Sequence, residues 1–83
     1  MASVQVLYFA AIRDLVGLAE EEVELSESRA QMKDLIQELT TLHPELEGRL
    51  GSVRFALNEE FVKDDAEISP GDIIAVIPPV AGG

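Results

Sequence analysis

Catalysis needs a nucleophile, an acid–base pair or a set of metal ligands, and these 83 residues contain no cysteine and a single histidine. His43 stands directly before Pro44, with no second histidine and no thiolate to complete a triad or a metal site. A helix-terminal role suits it better, because an imidazolium at a helix C-terminus is mildly stabilising. Asp64-Asp65 and Glu20-Glu21-Glu22 lack the spacing and the glycine of a calcium loop and read as solvated acidic segments. Gly48 to Ser52 is too short for a phosphate loop, and Arg49 is misplaced for its lysine. The expectation is no metal and no self-contained catalytic apparatus. What remains is the end of the chain, Pro78-Pro79-Val80-Ala81-Gly82-Gly83. Its last two residues have no Cβ, so the Gly83 carboxylate could enter a channel too narrow for any other residue. The competing reading is a frayed end or an appended scar, and the rest of the chain must decide between them.

Sixteen acidic against six basic residues give a net charge of -10. That charge repels a phosphate backbone, argues against nucleic acid and favours a protein partner with a basic face; most of the individual carboxylates serve solubility. The absence of cysteine excludes disulfides and thiolate chemistry. No apolar run reaches membrane-spanning length, and Met1-Ala2-Ser3 leads straight into a strand pattern, so a soluble, cytosolic protein is expected. A chain of this size forms one domain that buries only about 60% of its unfolded surface. Any chemistry therefore belongs at the surface or in a partner.

The elements that must position the tail can be read in order. Val4 to Phe9 is a strand with Val4, Val6 and Tyr8 on one face and Gln5, Leu7 and Phe9 on the other, the face with Gln5 being the outer one. Ala10 to Val16 forms a short helix or wide turn ended by Gly17 in a left-handed conformation. Glu20 to Leu25 is an acidic edge strand. Ser28, with Gln31 three residues on, forms a possible capping box before a helix whose apolar stripe is Met32, Leu35, Ile36, Leu39 and Leu42; Pro44 stops it at His43. Glu45 to Ser52 is a loop. Val53 to Leu57 alternates with Val53, Phe55 and Leu57 inward, and Asn58-Glu59-Glu60 reverses the chain into a short strand at Phe61-Val62. Asp64 to Glu67 is polar, and Ser69-Pro70-Gly71-Asp72 suits a type II turn. Ile73 to Ile77, apolar on both faces, is a central strand that Pro78-Pro79 must end, since proline has no N–H for the ladder.

One main helix crossing between the second and third strands, with a central final strand, gives an α+β fold: a ubiquitin-like β-grasp with a mixed five-stranded sheet and the helix on one face. Residues 1–77 are read as the domain and 78–83 as a projecting tail. Alternation places Leu7, Phe9, Ala56, Ala75 and Ile77 together on the outer face with Phe61 nearby, an apolar patch beside the tail that would mark a protein interface. In the other reading, the segment from Ala10 to Gly17 folds over that patch.

Val6-Leu7-Tyr8-Phe9-Ala10, Arg13-Asp14-Leu15-Val16-Gly17, Gly71-Asp72 and the ending Ile77-Pro78-Pro79-Val80-Ala81-Gly82-Gly83 carry a family resemblance over nearly the full length. The chain resembles the molybdopterin synthase small subunits, sulfur carriers of molybdenum-cofactor biosynthesis; the thiamine-pathway carriers and ubiquitin-related modifiers share the fold and the Gly-Gly end. The resemblance implies a non-catalytic carrier whose Gly83 carboxylate is adenylated with ATP by a ubiquitin-activating-like adenylyltransferase. A sulfurtransferase then converts it to a thiocarboxylate, which donates sulfur to cyclic pyranopterin monophosphate. It further implies docking on the synthase large subunit in a two-plus-two heterotetramer, with no permanently bound cofactor. Pro78, Pro79, Val80, Ala81 and Gly82 would fit the partner's channel, and Leu7, Phe9, Phe61, Ala75 and Ile77 would dock. A related carrier, or a modifier forming isopeptides through Gly83, is the alternative, and a plain β-grasp interaction module is a third reading.

Overall fold

The computed structural model describes residues 2–25 and 30–79. The sheet is organised around its last strand. β1 (Ala2–Tyr8) pairs antiparallel with β2 (Glu20–Leu25) and parallel with β7 (Ile73–Ile77). On its other side β7 pairs antiparallel with β4 (Arg54–Leu57), which pairs with β5 (Glu60–Val62). The order is β2-β1-β7-β4-β5, a mixed five-stranded sheet with β7 at its centre. Burial explains that position, because Ile74 and Val76 are both fully enclosed and need neighbours on each side.

Alternation sets the two faces. Val4, Val6 and Tyr8 of β1 and Val23 and Leu25 of β2 point into a core closed by α2 (Met32–Leu42), whose Met32, Leu35 and Leu39 are buried. Leu42, expected in the same stripe, is the last residue of α2 and is 48% exposed. The cap also differs from expectation. Gln31 is the N-cap; it forms a capping box with Asp34, whose carboxylate accepts the Gln31 N–H at 2.8 Å. Ser28 lies outside the described residues. The next two N–H groups, of Met32 and Lys33, donate to the carbonyls of Ala66 and Asp64 at 2.8 Å each, so donors left over by the helix geometry are satisfied by a loop.

That loop is more ordered than its polar composition suggests. β6 (Glu67–Ile68) pairs with β3 (Ala30–Gln31) in a second, two-stranded sheet that buries Ile68 and Ala30. The segment after Pro44 likewise forms a 3-10 turn over Pro44–Leu46 and buries Leu46 completely. α1 (Ala10–Val16) ends at Gly17 with φ 86°, its N–H donating to the Arg13 carbonyl at 2.8 Å. Ile12 of α1 joins the inner core, with Leu15 and Val16 packed against it. α1 therefore packs with the core and not across the outer face, and the reading in which it covers that face is corrected. Its short apolar stripe can bury on one side only, and the inner side offers Tyr8, Ile74 and Leu46.

Candidate functional site

The outer face is built by register. Leu7 pairs with Ala75, Ala75 with Ala56, and Ala56 with Phe61, which lines four side chains across β1, β7, β4 and β5. The two central alanines are small. They form a shallow floor, with Ala56 buried and Ala75 half-buried, between the larger Leu7 and Phe61. Phe61 is 61% exposed and Phe9 is 44% exposed, so these aromatic rings are free to be covered by something else. Arg54 stands one pleat from Ala56 on the same face, and its guanidinium carbon lies 5.5 Å from the centroid of the Phe61 ring. On the opposite flank Leu7 pairs with Glu20 and Gln5 with Glu22, so the acidic edge of β2 forms the rim there. An apolar strip is thus bounded by carboxylates on one side and by a cation on the other.

The strip meets the tail. Tyr8 pairs with Val76 and Arg54 with Ile77, so β1 and β7 end, and β4 begins, at one end of the sheet. Ile77, half-buried, leads from that end into Pro78 and Pro79, where the ladder stops. Of the residues expected to act, Leu7, Phe9, Phe61, Ala75 and Ile77 are brought to one face and one end, with Pro78 half-buried and Pro79 exposed beyond them. Val80, Ala81, Gly82 and Gly83 lie outside the described residues.

The base of the tail is fixed from the other end of β7. The turn before it has Gly71 at φ 89°, as a type II turn requires, and the Asp72 carboxylate accepts the Ser69 N–H at 2.7 Å. Asn58 staples this turn to the β4–β5 hairpin: its amide donates to Asp72 at 3.1 Å and its carbonyl accepts the Ile73 N–H at 2.9 Å. Asn58 and Glu59 both adopt positive φ, 49° and 76°, which is what a tight hairpin with native twist demands.

One titratable cluster lies on the inner side, where sequence reasoning placed none. Tyr8 Oη donates to Glu21 Oε2 at 2.5 Å, and His43 Nε2 meets the same oxygen at 2.5 Å. The Tyr8 and His43 rings pack edge to face with centroids 6.0 Å apart. Burial first, then the hydrogen bond to Glu21 and its negative charge, raise the Tyr8 phenol well above its ordinary value. The signal was present in the sequence: Glu21 shares parity with Val23 and Leu25, so alternation alone turns it inward. The cluster ties the edge strand β2 to the end of α2, and no group of three or more histidines or carboxylates suited to a metal forms among the described residues. No helix among them is long and apolar enough to cross a membrane.

A mixed sheet in β2-β1-β7-β4-β5 order, crossed by one long helix and open on its other face, defines a ubiquitin-like β-grasp protein. Residues 6–83 match the ThiS family. The molybdopterin synthase sulfur carrier subunit of Chlamydomonas reinhardtii is 38% identical over 82 residues, covering 96% of this chain and 98% of that one. Among solved structures, the Pyrococcus furiosus protein provisionally described as molybdopterin converting factor, subunit 1, is 36% identical with a TM-score of 0.86, over 96% of this chain and 100% of that one. The small archaeal modifier protein 1 of Methanosarcina acetivorans is 27% identical with a TM-score of 0.79, over 100% of this chain and 98% of that one. The chain belongs to the ThiS family and, within it, to the molybdopterin synthase sulfur carrier subunits.

Proposed function

We propose that this chain carries sulfur on Gly83 for the synthesis of the dithiolene of molybdopterin. The observation that carries the reading is the outer face: an uncovered apolar strip, from Leu7 through Ala75 and Ala56 to Phe61, that ends where β7 releases the Pro78-Pro79 segment. A strip in that place holds a partner against the root of the tail, and six extended residues from Pro78 to Gly83 then reach at most about 20 Å into it. The prolines limit the tail's free conformations and so reduce the entropy lost on insertion, while the glycines allow close approach to the reacting centre.

In the proposed sequence an activating enzyme joins the Gly83 carboxylate to the α-phosphate of ATP, releasing pyrophosphate. A sulfurtransferase persulfide then attacks the acyl carbon and AMP leaves. A thiol cleaves the resulting acyl disulfide, forming a disulfide with the sulfurtransferase, and a thiocarboxylate remains. Docked on the synthase large subunit, that thiocarboxylate's sulfur displaces an oxygen substituent from a carbon of cyclic pyranopterin monophosphate. Water then cleaves the acyl–sulfur bond, leaving the sulfur on the pterin and restoring the Gly83 carboxylate. A chain of charge -10 is poorly suited to hold an anionic pterin or ATP, so the cationic and acid–base groups belong to the partners, and this subunit is a carrier rather than a catalyst. We place the cycle in the cytosol, and two carriers on a dimeric large subunit would supply the two sulfurs of one dithiolene.

Mass spectrometry of the C-terminal peptide tests this. After incubation with the activating enzyme, ATP and a sulfur source, Gly83 should carry one sulfur in place of one oxygen. An unchanged peptide under conditions that modify a known carrier would sink the proposal. The likeness to a small archaeal modifier supports a second reading, isopeptide attachment to lysines. Conjugates on a denaturing gel that vanish when Gly83 is deleted would favour it.

A further inference from the structure

At the end of the sheet where the tail leaves lies an open cavity of about 650 Å³. Its apolar wall is made by Ile36 of α2, by Leu50 and Val53 ahead of β4, and by Phe55 and Val62. Its lining also carries Arg54 and Lys63 with one carboxylate, Asp64. The placement follows from register: Phe55 pairs with Val62 and Arg54 with Ile77, so Lys63 continues past β5 at the same end as the root of the tail. Along this cavity runs the free edge of β5, with which no strand pairs among the described residues.

Two features single the groove out. It gathers two of the chain's six basic residues around an apolar hollow in a molecule of net charge -10. It is also continuous with the outer strip, because Arg54 and Phe61 line both.

We infer that the groove is a second docking site, taking an extended segment of the same partner that receives the tail, with an aliphatic side chain in the hollow and a carboxylate between Arg54 and Lys63. The segment lies along β5, where main-chain groups of an edge strand can extend the sheet while the pocket selects side chains. Charge complementarity chooses the occupant: aliphatic contacts alone would leave the two cations facing a desolvated interface, whereas an acidic side chain matches them. The contact also has a mechanical use. The outer strip fixes the partner on one side of the tail root and the groove fixes it on the other, so the direction in which the tail leaves is set from two sides. This inference rests on the carrier reading, since its partner is the subunit proposed there.

The probe is the purified synthase large subunit, titrated calorimetrically with the full chain and with Lys63→Glu, while deuterium exchange follows the amides of residues 60–63. Lys63 is exposed and outside the core, so the variant should keep the far-ultraviolet dichroism of the parent. Binding roughly tenfold weaker at low salt is expected for Lys63→Glu, a gap that narrows as salt screens it, together with slowed exchange at residues 60–63 in the parent complex. Parent-like affinity for Lys63→Glu with unchanged exchange at β5 overturns the groove site and leaves the carrier reading standing. Failure of the parent chain itself to bind removes the carrier reading and this inference with it. Exchange at residues 60–63 that slows with the concentration of the isolated chain identifies a second copy as occupant, which also overturns the inference.

Discussion

Raising the pH past 10 interrogates the inner cluster with unusual selectivity, because Tyr8 is the sole tyrosine and the chain has no tryptophan. Tyr8 is 2% exposed and donates its proton to Glu21. Burial, that hydrogen bond and the Glu21 charge each oppose ionisation in the folded state. An unfolded chain ionises the phenol at its ordinary value near 10. Above that pH the folded chain holds one proton more than the unfolded one, so stability must fall as pH rises. The contribution is intact below pH 10 and is lost at about 1.4 kcal/mol per pH unit above it, or about 2.7 kcal/mol by pH 12. Against a total of about 5–15 kcal/mol for a natural domain, that is a large share. Tyrosinate absorbance recorded beside far-ultraviolet dichroism is the assay. The two signals should change together, in one cooperative step, with no tyrosinate while the fold persists. Tyr8→Phe should flatten the alkaline slope by the stated amount. Tyrosinate appearing near pH 10 with the dichroism intact would show the phenol open to water and refute the placement of the cluster.

Phe9→Ala or Ile77→Ala should weaken binding to the large subunit by about 1–3 kcal/mol and Glu22→Ala by less than about 0.5 kcal/mol, measured calorimetrically; equal losses would mean that the strip is not where the partner sits. Glu59→Gly should stabilise the hairpin by about 1 kcal/mol in urea unfolding, since a side chain at φ 76° carries a steric cost that glycine lacks; a loss of stability would contradict the turn conformation. Leu46→Ala should cost about 2–4 kcal/mol by the same measurement, because Leu46 is fully enclosed, and a cost typical of a surface loop would place it outside the core.

The strands and their facing were legible because period-two alternation survives in a chain whose sheet is buried on one side. Val4, Val6 and Tyr8 could point only one way once Gln5 was placed outside, and the run from Ile73 to Ile77 had to be central. The features that escaped depend on contacts distant in sequence. β6 was missed, Glu67 being read with the polar segment from Asp64, because its order comes from pairing with β3 and from the Asp64 and Ala66 carbonyls just before it that take the first N–H groups of α2, none of which shows locally. Leu46 follows a proline and precedes two loop glycines, so its burial depends on where the end of α2 deposits it. Gln31, read as the partner three residues after Ser28, is itself the N-cap, because pairing with Glu67 holds it extended and the box closes one step later with Asp34. The groove was not foreseen at all, since Ile36, Leu50, Val53 and Val62 meet only when the helix, a loop and two strands converge.

These contacts explain how so small a domain can hold the root of its tail accurately. β7 is paired on both sides from Ile74 to Val76, and at its start Asn58 and Asp72 link the preceding turn to the β4–β5 hairpin. Its far end is bordered by Tyr8 of β1 and Arg54 of β4, each set by the same ladder. Tyr8 is anchored in turn through Glu21 to His43 at the end of α2, so the strand beside the tail root is tied across the core to the helix. The division of labour follows. Apolar burial and one polar cluster on the inner side make the platform rigid, and the outer side is left as alanine floor and aromatic walls for another protein to cover. Truncating Glu21 to Ala should therefore disturb more than its own strand. It removes the acceptor shared by Tyr8 and His43, leaving a buried phenol unpaired at a cost of about 1–3 kcal/mol, and urea unfolding should show that loss. Carrier activity at saturating large subunit should remain, because Glu21 faces away from the strip; loss of activity with stability unchanged would place Glu21 in the interface and invert the assignment of faces.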